Sequence, residues 1–483
     1  MMRRYLYIIC ALVIGMNGCL AQTNSSLNRM VQDIALSSAM KHGQFAVSVY
    51  NISKGNNICN HNAQMALTPA SMCKIFTTGV GFEELGSNFR FKTSIGYTGE
   101  IDKSGVLHGN IIIVGGGDPL LGSYRYRQTC IDTLMHSWYK AITGYGIKSI
   151  EGRICVDGTI FDNQQLHDSW QHGDVGNYYG VGSCGLNFHE NMYFAYFNAG
   201  KKLGYPAELV STAPKNINIT NRNEVTTGPD NSGDQVIVYG EPNSTQRLYR
   251  GTIPLNKKNF GIRCAMPNPA LCCAEQFSSY LRSKGVHVSN SASDVGSHHD
   301  NIHTILDYYS NIYYVIAQYT NFTSNNMYAE SIFKYLGYKL YGKGSFTNGS
   351  KAVMNYFKQH QLDCGGVKIV DGSGLSRLDR VSTGFTCSFL TAMSRSSNFE
   401  DFHKSLAKVG ETGTVKKLVP GLPANIEMRV KSGSMEGVVT YAGYVTTASG
   451  DLVCFSIICN NFDGTASSLK QQLSKLLLKI GTL

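Results

Sequence analysis

Apolar and polar positions alternate from Gln44 to Tyr50, the pattern of a strand with one covered face, and a turn at Ser53 to Asn57 follows. Ile75 to Leu85 changes to helical spacing and stops near Gly86. From about Phe89 short β-like runs take over: Phe89 to Tyr97, Val106 to Val114, Ile150 to Val156 and Gln235 to Tyr239. Glycine-rich turns separate them, among them Gly115-Gly116-Gly117-Asp118-Pro119, so a β-rich module is predicted as far as about Cys264. Helical spacing returns at Pro269, with Ala274, Phe277 and Leu281 on one face and Gly285 as a stop. Helices are then predicted over Ile302 to Tyr319, Met327 to Leu340 and Thr383 to Ser394. Adjacent antiparallel strands are predicted over Met428 to Ser434, Val438 to Thr446 and Leu452 to Cys459. The last predicted helix, Ser467 to Ile480, carries Leu469, Leu473, Leu476, Leu477 and Ile480 in one stripe with Lys470, Lys475 and Lys479 off it, and is read as packing on the strands before it.

The 483 residues allow two to four domains, and no fixed-period repeat is present. Arg3 and Arg4, the apolar run Tyr5 to Ile14 and small residues up to Ala21 read as an export signal, residues 1–21. Its apolar run is too short to span a bilayer, and no later stretch is long and apolar enough for a membrane helix. A lipid-modified Cys19 is the alternative, and any membrane attachment is peripheral or through that lipid. The formal charge of +10 favours anionic surroundings such as wall polymers with free carboxylates; no basic helix interleaved with aromatics suggests nucleic acid. Of the 14 cysteines, Cys10 and Cys19 fall in the leader. An exported chain can oxidise the remainder, but most sit in apolar runs and read as small core residues. No cysteine or histidine spacing suits a metal, and no cofactor is implied.

Candidate chemistry begins at Thr68-Pro69-Ala70-Ser71-Met72-Cys73-Lys74, which sets a hydroxyl and an amine three residues apart at a helix start. Residues i and i+3 share a helix face, so Lys74 can reach Ser71 and serve as its base. Ser331 to Lys334 and Ser467 to Lys470 have the same spacing. Ser71 stands out because Ser324-Asn325-Asn326, just before a helix, and Lys431-Ser432-Gly433, on a strand, follow it in order. Ser396 to Asn398 and Lys103-Ser104-Gly105 are decoys out of order or context. Ser-x-x-Lys, Ser-x-Asn and Lys-Ser/Thr-Gly in succession resemble the signature of penicillin-binding proteins and serine β-lactamases.

More than half of the chain separates Ser71 from Ser324, which suggests an inserted module. With that arrangement the chain resembles the peptidase S13 family, D-alanyl-D-alanine carboxypeptidases of the penicillin-binding protein 4 (DacB) type. Further similar stretches are Val114 to Leu120, Phe161-Asp162, Tyr178-Tyr179-Gly180, Asn187-x-x-Glu190-Asn191 and Asp371 to Arg377. One departure is Lys431-Ser432-Gly433, where Lys-Thr-Gly is usual; serine keeps the hydroxyl. The resemblance implies a mixed α/β fold: a serine β-lactamase/transpeptidase-like catalytic domain, an antiparallel sheet flanked by helices plus a helical cluster, interrupted by a large β-rich insertion. The expected segments are 22–92 and 265–483 for the catalytic domain and 93–264 for the insertion.

It further implies hydrolysis of D-Ala-D-Ala, or of the D-Ala–diaminopimelate cross-link, in peptidoglycan stem peptides, and covalent inhibition by β-lactams. In that scheme Ser71 attacks, Lys74 takes its proton, Ser324 relays a proton to the leaving amine, and Asn326 holds Lys74 and the substrate amide. Lys431 supplies positive charge, Ser432 and Ser434 bind the terminal carboxylate, and the N–H groups of Ser71 and Ser434 form the oxyanion hole. Arg377 either binds a diaminopimelate carboxylate or makes a structural salt bridge. The expected location is the periplasm of a Gram-negative-type bacterium, or the cell envelope if Cys19 is lipidated. Alternatives are a serine β-lactamase, which needs a glutamate to activate water where none lies between Glu330 and Glu400, or a non-catalytic wall-binding protein on the same scaffold.

Overall fold

A computed structural model describes residues 25–215, 217–295 and 301–483. The leader, Cys10 and Cys19 lie outside the described residues. The chain divides into two compact units, one made of residues up to 68 with 381–395 and 407–483, the other of 69–380 with 396–406.

The first unit is built on a six-stranded antiparallel sheet in the order Ala407–Lys408, Glu427–Met435, Val438–Thr446, Leu452–Asn460, Gln44–Asn51, Asn56–His61. The two central strands, Val438–Thr446 and Leu452–Asn460, are buried at almost every position, so both faces of the sheet are covered. On one face the helix Thr383–Met393 is tied down by Tyr444, whose hydroxyl donates to the Leu390 carbonyl at 2.7 Å. The helix Ala466–Gly481 packs on the strand Val438–Thr446 and on the helix Ser25–Ala35. It buries Leu469, Leu473, Leu476, Leu477 and Ile480, the five residues of the expected stripe.

The second unit holds a helical cluster and a β-rich part. The cluster consists of Lys74–Leu85, Tyr313–Thr323, Asn326–Tyr341, Phe346–Gln359 and Phe399–Ser405. The β-rich part is organised on a seven-stranded mixed sheet in which Val106–Val114 pairs antiparallel with Lys92–Ile101 and parallel with Ile154–Asp157. Two three-stranded sheets complete it: Ile237–Tyr239 with Gln246–Pro254 and Thr220–Gly228, and Phe260–Ala265 with Met192–Asn198 and Glu208–Ala213.

Two elements differ from the sequence reading. The expected helix over Ile302 to Tyr319 is a strand, His303–Tyr309, followed by the helix Tyr313–Thr323. Ile305, Tyr308, Tyr309 and Ile312 fit helical spacing by chance, but the edge of Lys92–Ile101 supplies a partner at every residue of the strand except a bulge at Ile305. The expected strand Ile150 to Val156 is broken at Glu151–Arg153 into Ser149–Ile150 and Ile154–Asp157. Gly152 allows the break: a Cβ there would lie 2.1 Å from the Gly109 carbonyl oxygen.

The twelve described cysteines are free thiols; ten are buried, and Cys130 and Cys364 are half-buried. Among the described residues no helix is long and apolar enough to cross a membrane.

Candidate active site

The turn Ala70–Cys73 is a 3-10 turn that runs directly into the helix Lys74–Leu85. This puts Ser71, half-buried, and Lys74, fully buried, on one side of the chain. Ala70 holds the turn with φ 48°, a left-handed conformation that costs an L-residue about 1–2 kcal/mol. The loop Asp371–Arg377 presses on it from outside. Gly374 has φ +76°, and a Cβ there would lie 2.0 Å from the Ala70 carbonyl oxygen. Gly374→Ala is therefore expected to destabilise the second unit by on the order of 2 kcal/mol, read as a lower unfolding midpoint.

The Lys74 Nζ has three partners: Ser71 Oγ at 3.0 Å, Asn326 Oδ1 at 2.6 Å and the Ser373 carbonyl oxygen at 2.7 Å. The Asn326 amide is oriented by its other end, since Nδ2 donates to the Tyr179 carbonyl at 2.7 Å. Oδ1 of Asn326 and the Ser373 carbonyl can only accept. When Lys74 loses a proton its two remaining N–H groups stay with them, and the lone pair is left for the one partner that can donate, the Ser71 hydroxyl. The hydrogen-bond set thus turns the lone pair of a neutral Lys74 toward the Ser71 hydroxyl.

Burial lowers the Lys74 pKa to about 8, opposed chiefly by the neighbouring carboxyl groups of Glu330 and Asp371. Burial raises the Glu330 carboxyl to about 8, with Asp371 adding to the effect. Both groups are fully buried. Glu330 also has a mechanical job. Its Oε2 accepts from the Gly372 N–H and its Oε1 from the Ser373 N–H, both at 2.8 Å. The same peptide turn then presents the Ser373 carbonyl to Lys74. Asn326 and Glu330 lie four residues apart on one helix, so a single helix face contributes one lysine acceptor directly and clamps the other. Asp371 braces the loop further, accepting from Gly374 N–H, Ser376 N–H and Trp170 Nε1 at 2.7, 2.7 and 2.8 Å.

Ser324 ends the helix Tyr313–Thr323 in a left-handed conformation, φ 57°, and Asn325 caps the next helix by accepting from the Tyr328 N–H at 3.1 Å. Ser324 and Asn326 line one cavity with Tyr179. Arg377, also in the second unit, lies near Asp174, whose carboxyl is raised by burial and drawn back down by a Tyr179 hydrogen bond and the Arg377 charge. Lys431, Ser432 and Ser434 belong to the first unit, on the strand Glu427–Met435. Lys431 pairs with Ala442 and is fully buried, on the sheet face that carries Tyr444; its Nζ donates to the Ser432 carbonyl at 2.6 Å. The Ser432 hydroxyl is 2.8 Å from that of Thr414.

The decoys have structural work. Lys334 is fully buried, ion-paired with Asp162 at 3.1 Å and bonded to the Gln164 carbonyl, while Ser331 meets the Ser183 hydroxyl at 2.8 Å. Ser104 closes a hairpin turn on Asp102, and Ser396 and Asn398 hold Glu83. Cys73, beside the serine, is buried and its thiol is pushed well up, which makes it a packed residue rather than a nucleophile.

Sequence reading missed Glu330, Ser373 and Tyr179 as groups that hold Lys74 and Asn326. The signal available for Glu330 was its spacing, one helical turn after Asn326; Ser373 and Tyr179 act through backbone carbonyls, which leave no trace in side-chain identity.

A buried lysine held against a serine hydroxyl from one helical turn away is the arrangement that a serine nucleophile with an amine base requires. The chain belongs to the D-Ala-D-Ala carboxypeptidase 3 (S13) family, whose model matches residues 25–479. The D-alanyl-D-alanine carboxypeptidase of Actinomadura sp. (strain R39) is 24% identical over 461 residues, 92% of this chain and 82% of that protein. The D-alanyl-D-alanine carboxypeptidase DacB of Haemophilus influenzae is 24% identical over 420 residues, 85% and 84% of the two chains. The fold is that of the crystal structure of penicillin binding protein 4 (dacB) from Haemophilus influenzae, matched with a TM-score of 0.81 at 23% identity over 94% of this chain and 99% of that one.

Proposed function

We propose that the chain is a serine-type D-alanyl-D-alanine carboxypeptidase, with endopeptidase action on cross-links as the same chemistry on a larger leaving group. One observation carries the reading: the Lys74 nitrogen is held by two obligate acceptors and one hydroxyl, that of Ser71. Neutral Lys74 takes the Ser71 proton as Oγ attacks the carbonyl of the penultimate D-Ala. The tetrahedral oxyanion is met by the backbone N–H groups of Ser71 and Ser434. Collapse breaks the peptide bond, and the proton passes from Lys74 through Ser324 to the departing amine, leaving an ester on Ser71. Water then hydrolyses the ester by the reverse proton route. Lys431 supplies the charge, and Ser432 and Ser434 the hydrogen bonds, for the terminal carboxylate. β-Lactams acylate the same serine, and the ester formed with them is slow to hydrolyse.

Arg377 and Asp174 offer neighbouring charges of opposite sign, which suits the amino-acid end of a diaminopimelate side chain. The expected export of the chain, with a leader at 1–21 or a lipid on Cys19, belongs to this reading, as does the division into catalytic segments around an inserted 93–264. The sheet that takes Lys92–Ile101 also takes His303–Tyr309, so this β-rich part draws strands from beyond residue 264.

The β-lactamase alternative is disfavoured by Glu330. Both of its carboxylate oxygens are occupied by N–H groups of the 372–373 turn, and it is fully buried, so it is not free to activate a deacylating water. A non-catalytic wall-binding role leaves unexplained why a buried lysine with no carboxylate partner among the described residues is held against a serine hydroxyl. The test is release of D-alanine from a pentapeptide stem. Ser71→Ala is expected to lower it by about a thousandfold or more, and an unchanged rate would reject the reading.

A further inference from the structure

A cavity of about 70 Å³ opens beside Ser324, and two arginines in its wall, Arg125 and Arg263, have no part in the chemistry above. Arg125 is built in rigidly. Its Nε and Nη2 donate to Glu190 at 2.8 and 3.2 Å, and its guanidinium lies 4.6 Å from the Tyr124 ring centre and 4.8 Å from that of Tyr319. Glu190 is fully buried and also accepts from Ser123 and Tyr328 at 2.7 and 2.9 Å. His189, Glu190 and Asn191 all have left-handed backbone, φ 53°, 57° and 53°, an uncommon run that fixes the carboxylate. Both Nε and Nη2 of Arg125 are thereby committed to Glu190.

Arg263 is held differently. Its guanidinium lies flat over Tyr178, 3.6 Å from the ring centre, and has no hydrogen-bond or ion-pair partner among the described residues. Asp234, which is exposed, feels its charge without pairing. Glu190 neutralises one of the two arginines, and the wall of the cavity keeps one unmatched positive charge and a planar fork of donors. Such a fork matches a carboxylate. The cavity has room for that group.

We propose that this cavity is a carboxylate subsite for the departing peptide, so that the protein favours cross-linked stems whose acceptor arm carries a free carboxylate. The inference rests on the proposed function, because the side to which the subsite belongs follows from Ser324 protonating the departing amine. Ser324 and Asn326 line the same cavity as the two arginines, so a peptide leaving past Ser324 is the one whose anionic group comes within reach.

The test gives the purified full chain two cross-linked stem-peptide dimers that differ only in whether the acceptor-arm carboxylates are free or amidated. Labelling by fluorescent penicillin, run alongside, reports separately on the serine centre. The wild type should prefer the free dimer, and Arg263→Gln should lower kcat/KM for that dimer by about tenfold, which erases the preference. Equal preference in wild type and Arg263→Gln, with labelling intact, overturns the subsite and leaves the serine reading standing. No preference in the wild type, with inorganic phosphate the only anion that slows cleavage, means an adventitious ion only and also overturns it. If Arg263→Gln is not labelled, Arg263→Lys decides, since lysine keeps the charge without the fork: a reduced preference supports the subsite and a full preference overturns it. A wild type that neither labels nor cleaves rejects the serine reading, and the subsite with it.

Discussion

Lys74→Met should fold and yet be acylated by penicillin about a thousandfold more slowly, or less. Methionine matches lysine in length and flexibility but cannot accept a proton. The substitution leaves Asn326 Oδ1 and the Ser373 carbonyl without their donor, at about 1–3 kcal/mol each, and it removes a fully buried charge, which offsets much of that cost. The unfolding midpoint is therefore expected to move little while the acylation rate collapses. Lys74→Arg sharpens the result. Arginine retains positive charge and donors but stays protonated, so it too should be slow if the lysine acts as a base. An arginine variant that acylates at the wild-type rate would mean that Lys74 is needed for charge alone.

Glu330→Gln should change the pH dependence of acylation as well as its size. In the wild type the base must be neutral, so the rate should rise with pH through the Lys74 value of about 8. Glu330 is the strongest of the neighbours that favour protonated Lys74, ahead of Asp371. Removing the carboxylate makes the ammonium harder to keep, so the rising limb should move to lower pH. The maximum rate should fall as well. A glutamine has one acceptor oxygen for two N–H donors, Gly372 and Ser373, and the turn that presents the Ser373 carbonyl loosens. A misplacement of this kind costs about tenfold to a hundredfold. A rate–pH profile measured by penicillin labelling separates the two effects. A lower rate with no movement of the limb would make Glu330 a structural clamp only.

The parts of the molecule legible in the sequence are those set by local pattern. Val106–Val114 and Val438–Thr446 have the expected bounds because a run of β-branched residues between glycine turns has one reading. The last helix buries its expected stripe for the same reason. What failed depends on partners distant in sequence. His303–Tyr309 carries residues at helical spacing and becomes a strand because Lys92–Ile101 is beside it. The parallel pairing of His287–Val288 with Ser149–Ile150 has no local signature.

The site divides in the same way. Ser71 and Lys74 were legible because their contact is made within one helical turn, and Ser324 and Asn326 because their motif stands at a helix start. Glu330 was silent, since a glutamate in a helix ordinarily faces water, and only the arrival of the 372–373 turn gives its two oxygens a purpose. Arg263 was silent too, because stacking on Tyr178 follows from how the β-rich part folds.

Peptide mapping after reaction with a penicillin tests the central assignment most directly. One acyl group per chain, carried by the peptide that contains Ser71 and absent from Ser71→Ala, is the result expected if Lys74 activates that hydroxyl. A stable adduct on a peptide containing Ser324 or Ser432, or an adduct that survives in Ser71→Ala, would contradict it.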